Sequence, residues 1–166
     1  AEAGVSLAKL ASFAQQNGLA GLEFASGIPG TVGGGVRMNA GAYGGELKDA
    51  VESVVFYFLP DQGLYEMPNE NCKFAYRSSL FQQMNAAILS AVFRLQPGDK
   101  AEISAKMREL NERRRDKQPL DMPSAGSAFK RPEGHYAAAL IEEVGLKGYS
   151  VGGAQVSEKH SGFVVN

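Results

Sequence analysis

The chain has 166 residues, of which 44% are hydrophobic and 21% charged, with a formal net charge of −1. That balance excludes a disordered composition and offers no global attraction for nucleic acid or an anionic membrane, which leaves a small molecule as the expected partner. A single cysteine, Cys72, excludes an internal disulfide and suits a reducing cytoplasm. No Cys/His cluster has metal-ligand spacing, and no apolar run approaches the length of a membrane span.

In chain order, Ser6 can cap a first helix that places Leu7, Leu10, Ala11 and Ala14 on one face and stops at Gly18. The stretch ASGIPGTVGGGVRMNAGAYGGE, Ala25 to Glu46, then holds eight glycines in 22 residues and almost no charge. Val51 to Leu59 is rich in β-branched and aromatic residues. Pro60-Asp61-Gln62-Gly63 signals a turn, and Leu64 to Met67 can return as the second strand of a hairpin. Ala86 to Leu95 reads as a buried strand. Asp99 to Lys117 carries Ile103, Met107 and Leu110 at helical spacing on an otherwise charged helix. Its basic end, Arg113 to Lys117, either complements a helix C-terminus or catches a diphosphate. Pro119 and Pro123 break the pattern and mark a boundary between two lobes. The second lobe offers a strand over Ser127 to Lys130, a helix over Tyr136 to Val144 ended by Gly145, and a strand over Gly162 to Val165. The chain opens on Ala1 and closes in a strand-like run, GFVVN, and so reads as a piece of a longer protein.

The residues that can carry chemistry each admit two readings. The glycine-rich stretch is either a tight packing region or a wall against which a ligand lies. It contains no G-K-[ST] and no G-x-G-x-x-G opening a long helix, so neither phosphate-loop nor dinucleotide fingerprints apply. Arg77, in FAYRSS, is either a packed arginine or a fork for an anionic substrate. Ser127, in SAGSAF, is either a turn residue or a proton donor. No G-x-S-x-G elbow surrounds it, which disfavours a hydrolase nucleophile. His135 and His160 read as surface histidines.

Three blocks in order, GLEFASGIPGTVGGGVRMNAGAYGGE, CKFAYRSSLF and the run from KQPLDMPSAGSAFKRPEGHY to GFVVN, resemble the UDP-N-acetylenolpyruvoylglucosamine reductase (MurB) family in its short, type II form. The resemblance implies an α+β fold. Residues 1–118 would be the second subdomain of a two-part FAD-binding domain of the vanillyl-alcohol-oxidase type. Residues 119–166 would be part of an α+β substrate-binding domain. It implies FAD and NADPH as cofactors, a UDP-sugar substrate, and a place in peptidoglycan synthesis. Ser26-Gly27-Ile28-Pro29-Gly30-Thr31-Val32-Gly33-Gly34 and Gly41-Ala42-Tyr43-Gly44 would run along the flavin. Arg77 would stabilise the enolate left by reduction of the enolpyruvyl ether, and Ser127 would protonate it as general acid. Tyr76, Lys117, Gln155, Glu158 and His160 would neighbour flavin or substrate. Arg131 stands where some relatives carry a substrate-touching asparagine. The family's upstream glycine loop and downstream catalytic glutamate fall outside the 166 residues, so the chain alone would be a poor enzyme. A flavin oxidase with covalent attachment through His or Cys, and a non-catalytic sugar-nucleotide or protein-binding module, are the alternatives.

Overall fold

The computed structural model describes residues 1–166. Ser6 caps α1 (Leu7–Gln16) as its sequence dictates, its hydroxyl accepting from the Lys9 amide at 3.2 Å. The apolar stripe Leu7, Leu10, Ala11 and Ala14 is buried. A short strand β1 (Leu19–Ala20) follows. The glycine-rich stretch then does something the residue pattern did not announce. Val32–Met38, VGGGVRM, is a helix, α2. Each glycine weakens a helix by about 1 kcal/mol relative to alanine, so propensity argues against it. Tertiary contact overrides that: a Cβ on Gly35 would lie 2.8 Å from Leu47 Cδ1, and one on Gly33 would lie 2.9 Å from the Ala3 Cβ. The helix is glycine-rich because its neighbours touch its backbone.

Two short strands, β2 (Gly41–Ala42) and β3 (Gly45–Glu46), form a hairpin whose turn residues Tyr43 and Gly44 both have positive φ, +53° and +88°. Such a turn matches the right-handed strand twist. β4 (Val51–Phe58) and β5 (Gly63–Pro68) make the expected longer hairpin, and β6 (Ala86–Phe93) pairs with the other edge of β4, giving the antiparallel order β5-β4-β6. The expectation of a buried strand at Ala86 to Leu95 is corrected here. β6 flanks the sheet and alternates half-buried and exposed positions, with only Ala91 fully inside. Its free edge is taken by the first residues of the chain, Ala3 donating to the Leu89 carbonyl and Ala91 to that of Ala1. β7 (Gln96–Pro97) returns to pair with β1.

The charged helix α3 (Lys100–Lys117) buries Ile103 and Leu110, the stripe seen in the sequence, and ends before Pro119. The chain forms two compact units that divide within it, Ala1–Asn111 and Glu112–Asn166. The core of the first unit joins α1, α2, Leu47, Val54 and Phe56 of β4, and Phe81, whose ring meets Phe56 edge-on at 5.3 Å. In the second unit, β8 (Ser124–Ser127), α4 (Ala137–Glu143), β9 (Ser150–Val151), β10 (Ala154–Val156) and β11 (Phe163–Val165) follow, with the antiparallel sheet order β8-β11-β10-β9. The strand expected over Ser127 to Lys130 lies earlier. It ends at Ser127, because the positions facing β11 are Ser124 and Ser127, and Phe129 is exposed. No helix is long and apolar enough to cross a membrane.

Candidate functional site

In the first unit, the glycine-rich helix and the FAYRSS segment, singled out separately from sequence, are bolted together. Ala75 and Ser78 exchange backbone hydrogen bonds of 3.0 and 3.1 Å, closing a turn with Tyr76 and Arg77 at its tip. Arg77 is held at φ +53°, a left-handed conformation unusual for a side chain of this size. Its Nη2 donates to the Gly41 carbonyl at 2.7 Å, tying the tip to the glycine hairpin, and its guanidinium lies 5.2 Å from the Tyr76 ring centroid. The backbone behind it is fixed as well, since Gln82 Nε2 donates to the Arg77 carbonyl at 3.1 Å. Ser79 donates to the Arg37 carbonyl at 2.7 Å, and Arg37 Nη1 donates back to the Phe81 carbonyl at 2.5 Å.

At the centre of this junction sits Asn39, fully buried and itself left-handed at φ +43° as the C-cap of α2. Its amide nitrogen donates to the Ala75 carbonyl and to Glu46 Oε2, and its oxygen accepts from the Lys48 amide, each at 3.0 Å. One side chain thus joins helix end, hairpin and arginine turn. Glu46 is held below the usual carboxylate range, first by its hydrogen bond to Lys48 and also by Asn39 and the nearby Arg77 cation.

The glycines of this region sort into two groups. At Gly33, Gly35, Gly41 and Gly45 a Cβ would strike the protein itself, at 2.5 Å from Phe24 Cδ1 in the last case. At Gly30 and Gly44 nothing lies within 4 Å, and at Gly34 only the Thr31 hydroxyl does, at 3.6 Å. Thr31, Gly33, Gly34 and Arg37 also line a recess of about 250 Å³. The first amides of α2 are engaged within the fold: Val32 donates to Val5, Gly33 to Ala3 and Gly34 to the Thr31 hydroxyl. Of the remaining residues expected beside the flavin, Ser26 donates to the Glu23 carbonyl at 2.9 Å, Ile28 packs against the core, and Pro29 is exposed.

In the second unit, Ser127 ends β8 on an exposed position, opposite Phe163 of β11, and its hydroxyl has no protein partner. His160 is close by: a Cβ placed on Gly162 would lie 3.1 Å from His160 Nδ1 and 3.4 Å from Ser127 Oγ. Gln155 donates to the Gly148 carbonyl at 3.0 Å, and Glu158 Oε1 packs over Gly148. Lys117 ends α3, exposed, and Arg131 stacks 4.0 Å over the Tyr136 ring. Glu142 is held below the usual carboxylate range, first by the Ser161 hydroxyl at 2.9 Å and then by Lys147.

Residues 1–61 match the FAD binding domain family, and residues 118–166 match the UDP-N-acetylenolpyruvoylglucosamine reductase C-terminal domain. Along all 166 residues the chain is 55% identical to the UDP-N-acetylenolpyruvoylglucosamine reductase of Caldanaerobacter subterraneus and 54% identical to that of Limosilactobacillus reuteri. The chain belongs to the UDP-N-acetylenolpyruvoylglucosamine reductase family. It spans 55% of the length of each of these curated relatives. The fold agrees. The crystal structure of the MurB reductase from Thermus caldophilus superimposes with a TM-score of 0.88 at 40% identity, over 96% of this chain and 58% of that one. The expected class, an α+β FAD-binding segment followed by the family's C-terminal domain, is what this MurB-family chain has.

Sequence reading missed Asn39, Ser79 and Gln82, the MurB-family residues here that hold the arginine turn. The only sequence signal was an asparagine following the short stretch VGGGVRM, since asparagine suits the left-handed cap that ends a helix. Cys72, the family chain's one thiol, is fully buried, and burial pushes its pKa up to about 11. A maleimide at neutral pH is expected to leave the native protein unlabelled and to label it fully in denaturant. Rapid native labelling would show that the segment Asn69–Cys72 opens.

Proposed function

We propose that this chain is the part of an FAD-dependent reductase that lines the flavin with backbone and presents two of the groups acting on substrate. The reaction is the NADPH-dependent reduction of UDP-N-acetylglucosamine enolpyruvate to UDP-N-acetylmuramate, in peptidoglycan precursor synthesis in the cytoplasm. The observation that carries it is the Arg77 turn, held left-handed against the glycine hairpin through Gly41, in a chain more than half identical throughout to reductases of that name.

The residues present fit FAD. Gly30, Gly34 and Gly44 leave the space beside their backbone open, which supports a neutral wall that a flat ring system can approach closely. Arg37, on the adjoining recess, supplies positive charge of the kind a diphosphate needs. The redox chemistry, from NADPH to the enolpyruvyl double bond, is what bound FAD supplies. Reduction at the double bond leaves a carbanion conjugated with the substrate carboxylate. Arg77 stabilises that charge with guanidinium N–H groups other than the one committed to Gly41. Ser127 donates the proton: its O–H bond breaks as a C–H bond forms on the carbanion carbon. A hydroxyl without a protein partner is available for that transfer. Tyr76, Lys117, Gln155 and Glu158 are proposed to neighbour the flavin or sugar nucleotide.

By itself the chain, at 55% of its relatives' length, is proposed to hold FAD weakly and to turn over little. In the protein at the full length of its relatives, Arg77→Ala is expected to retain FAD while losing at least about 100-fold in turnover, the scale of a removed charge stabiliser. The flavin absorbance of the purified variant, beside its NADPH oxidation with the enolpyruvyl sugar nucleotide, tests this. Loss of the flavin would make Arg77 a structural residue, and no substrate-dependent NADPH oxidation by the wild type would refute the proposed reaction.

A further inference from the structure

Ser127 has to be aimed, yet it sits exposed at the end of a strand and no partner holds its hydroxyl. Its position is set through its backbone. Ser127 pairs with Phe163, and the next residue, Ala128, donates its N–H to the Gly162 carbonyl at 2.9 Å. Gly162 is therefore the anchor of this strand end. The other side of Gly162 is held by a histidine, since its N–H donates to His160 Nδ1 at 3.1 Å. This is the geometry of an Asx turn with imidazole in place of the side-chain carbonyl.

His160 is itself fixed from several directions. Its ring meets Phe163 edge-on at 5.0 Å, its amide donates to the buried Ser157 hydroxyl at 3.3 Å, and its carbonyl accepts from the Phe163 amide at 2.9 Å. Ser157 in turn donates its own amide to the Phe163 carbonyl at 2.9 Å, closing the turn from Ser157 to Phe163. Gly162 fills the space between imidazole and serine: a Cβ there would stand 3.0 Å from His160 Cε1, 3.1 Å from Nδ1 and 3.4 Å from Ser127 Oγ. Accepting through Nδ1 fixes the neutral ring as the tautomer carrying its proton on Nε2.

We propose that His160 is a positioning residue for Ser127, acting through the Gly162 amide to fix the end of β8 and with it the direction of the serine hydroxyl. The proposal rests on the reading of Ser127 as the proton donor. It assigns His160 a role different from contact with the sugar nucleotide, because Nδ1 is already occupied by the Gly162 amide.

The test uses the full-length protein with FAD and follows two half-reactions anaerobically: bleaching by NADPH, and recovery of flavin absorbance with the enolpyruvyl sugar nucleotide. His160→Phe keeps a ring against Phe163 but has no acceptor for Gly162. His160→Asn keeps an acceptor that reaches the amide two residues on. The phenylalanine variant is expected to bleach normally and to recover about 10- to 100-fold more slowly, the cost of misplacing a reacting group by about 1 Å. The asparagine variant is expected to regain most of that loss. Nitrogen-15 spectra supply a readout apart from activity: the Gly162 amide should exchange faster with solvent in His160→Phe than in His160→Asn. Equal slowing in both variants, with weakened sugar-nucleotide binding, would overturn the proposal in favour of direct substrate contact. Unimpaired recovery in His160→Phe would overturn it outright. A wild-type protein that bleaches but never recovers with substrate would instead refute the proposed function.

Discussion

Replacing Ser127 with alanine in the full-length protein is expected to leave flavin bleaching by NADPH unchanged and to slow recovery with substrate by about 10²–10⁴-fold, the usual contribution of a positioned general acid. The separation between the half-reactions follows from the proposed role, since a proton donor to the substrate carbanion is needed only when substrate is reduced. Ser127 closes β8 in the second unit. The hydroxyl makes no hydrogen bond within the protein and the residue is exposed, so its removal costs no internal hydrogen bond and stability should stay within about 0.5 kcal/mol of wild type. Rapid mixing with each reductant and oxidant in turn reads the two rates. Slowed bleaching by NADPH, with normal recovery, would place Ser127 in the wrong half of the reaction.

The second large effect is expected from a residue that touches no reactant. Asn39→Ala should destabilise the full-length protein by about 3–4 kcal/mol. It removes three partly buried hydrogen bonds of 3.0 Å each and leaves the Ala75 carbonyl and the Lys48 amide without that partner. It also asks alanine to adopt φ +43°, which asparagine tolerates better. Two further substitutions separate these causes. Asn39→Gly relieves the backbone strain but not the lost hydrogen bonds, and should recover about 1 kcal/mol. Asn39→Asp keeps the acceptor for Lys48 but loses both donors and sets a carboxylate beside Glu46, so it should be no better than alanine. Urea unfolding midpoints at unchanged m-value give the comparison. A midpoint for Asn39→Ala matching wild type would mean that the junction of hairpin, helix and arginine turn is held by something else.

Most of the regular architecture could be read from residue pattern. α1 announces itself through Ser6 and a four-residue apolar stripe, and β4 with β5 through β-branched residues around a Pro-Asp-Gln-Gly turn. The places where pattern failed share one cause, which is that neighbours distant in sequence decide. α2 forms through three consecutive glycines because Ala3, Leu7 and Leu47 pack onto its backbone. β6 looks like a core strand in composition, yet only one of its faces packs against the core, through Ala86, Ile88, Ala91 and Phe93, which leaves the residues between them more exposed. β8 starts three residues ahead of its expected place because β11 selects the small residues Ser124 to Ser127 over the bulkier AFK that follows. For the site, the motifs themselves were legible, whereas the joints between them were not. Asn39, Ser79, Gln82 and the His160–Gly162 contact are ordinary polar residues whose significance lies in what folding brings against them.

The glycine-rich stretch is in part a tight packing region. Gly33, Gly35, Gly41 and Gly45 are needed for packing, whereas Gly30, Gly34 and Gly44 leave the space beside their backbone open. That open space, in a stretch whose Gly41 holds the left-handed Arg77, is the basis for proposing a flavin wall.

The most direct test of that proposal is the anaerobic cycle of the full-length wild-type protein. Purified with FAD, it is predicted to bleach when NADPH is added and to regain its yellow absorbance on addition of the enolpyruvyl sugar nucleotide, with UDP-N-acetylmuramate as product. A protein that holds no flavin, or one whose reduced flavin is unaffected by that substrate, would contradict the account.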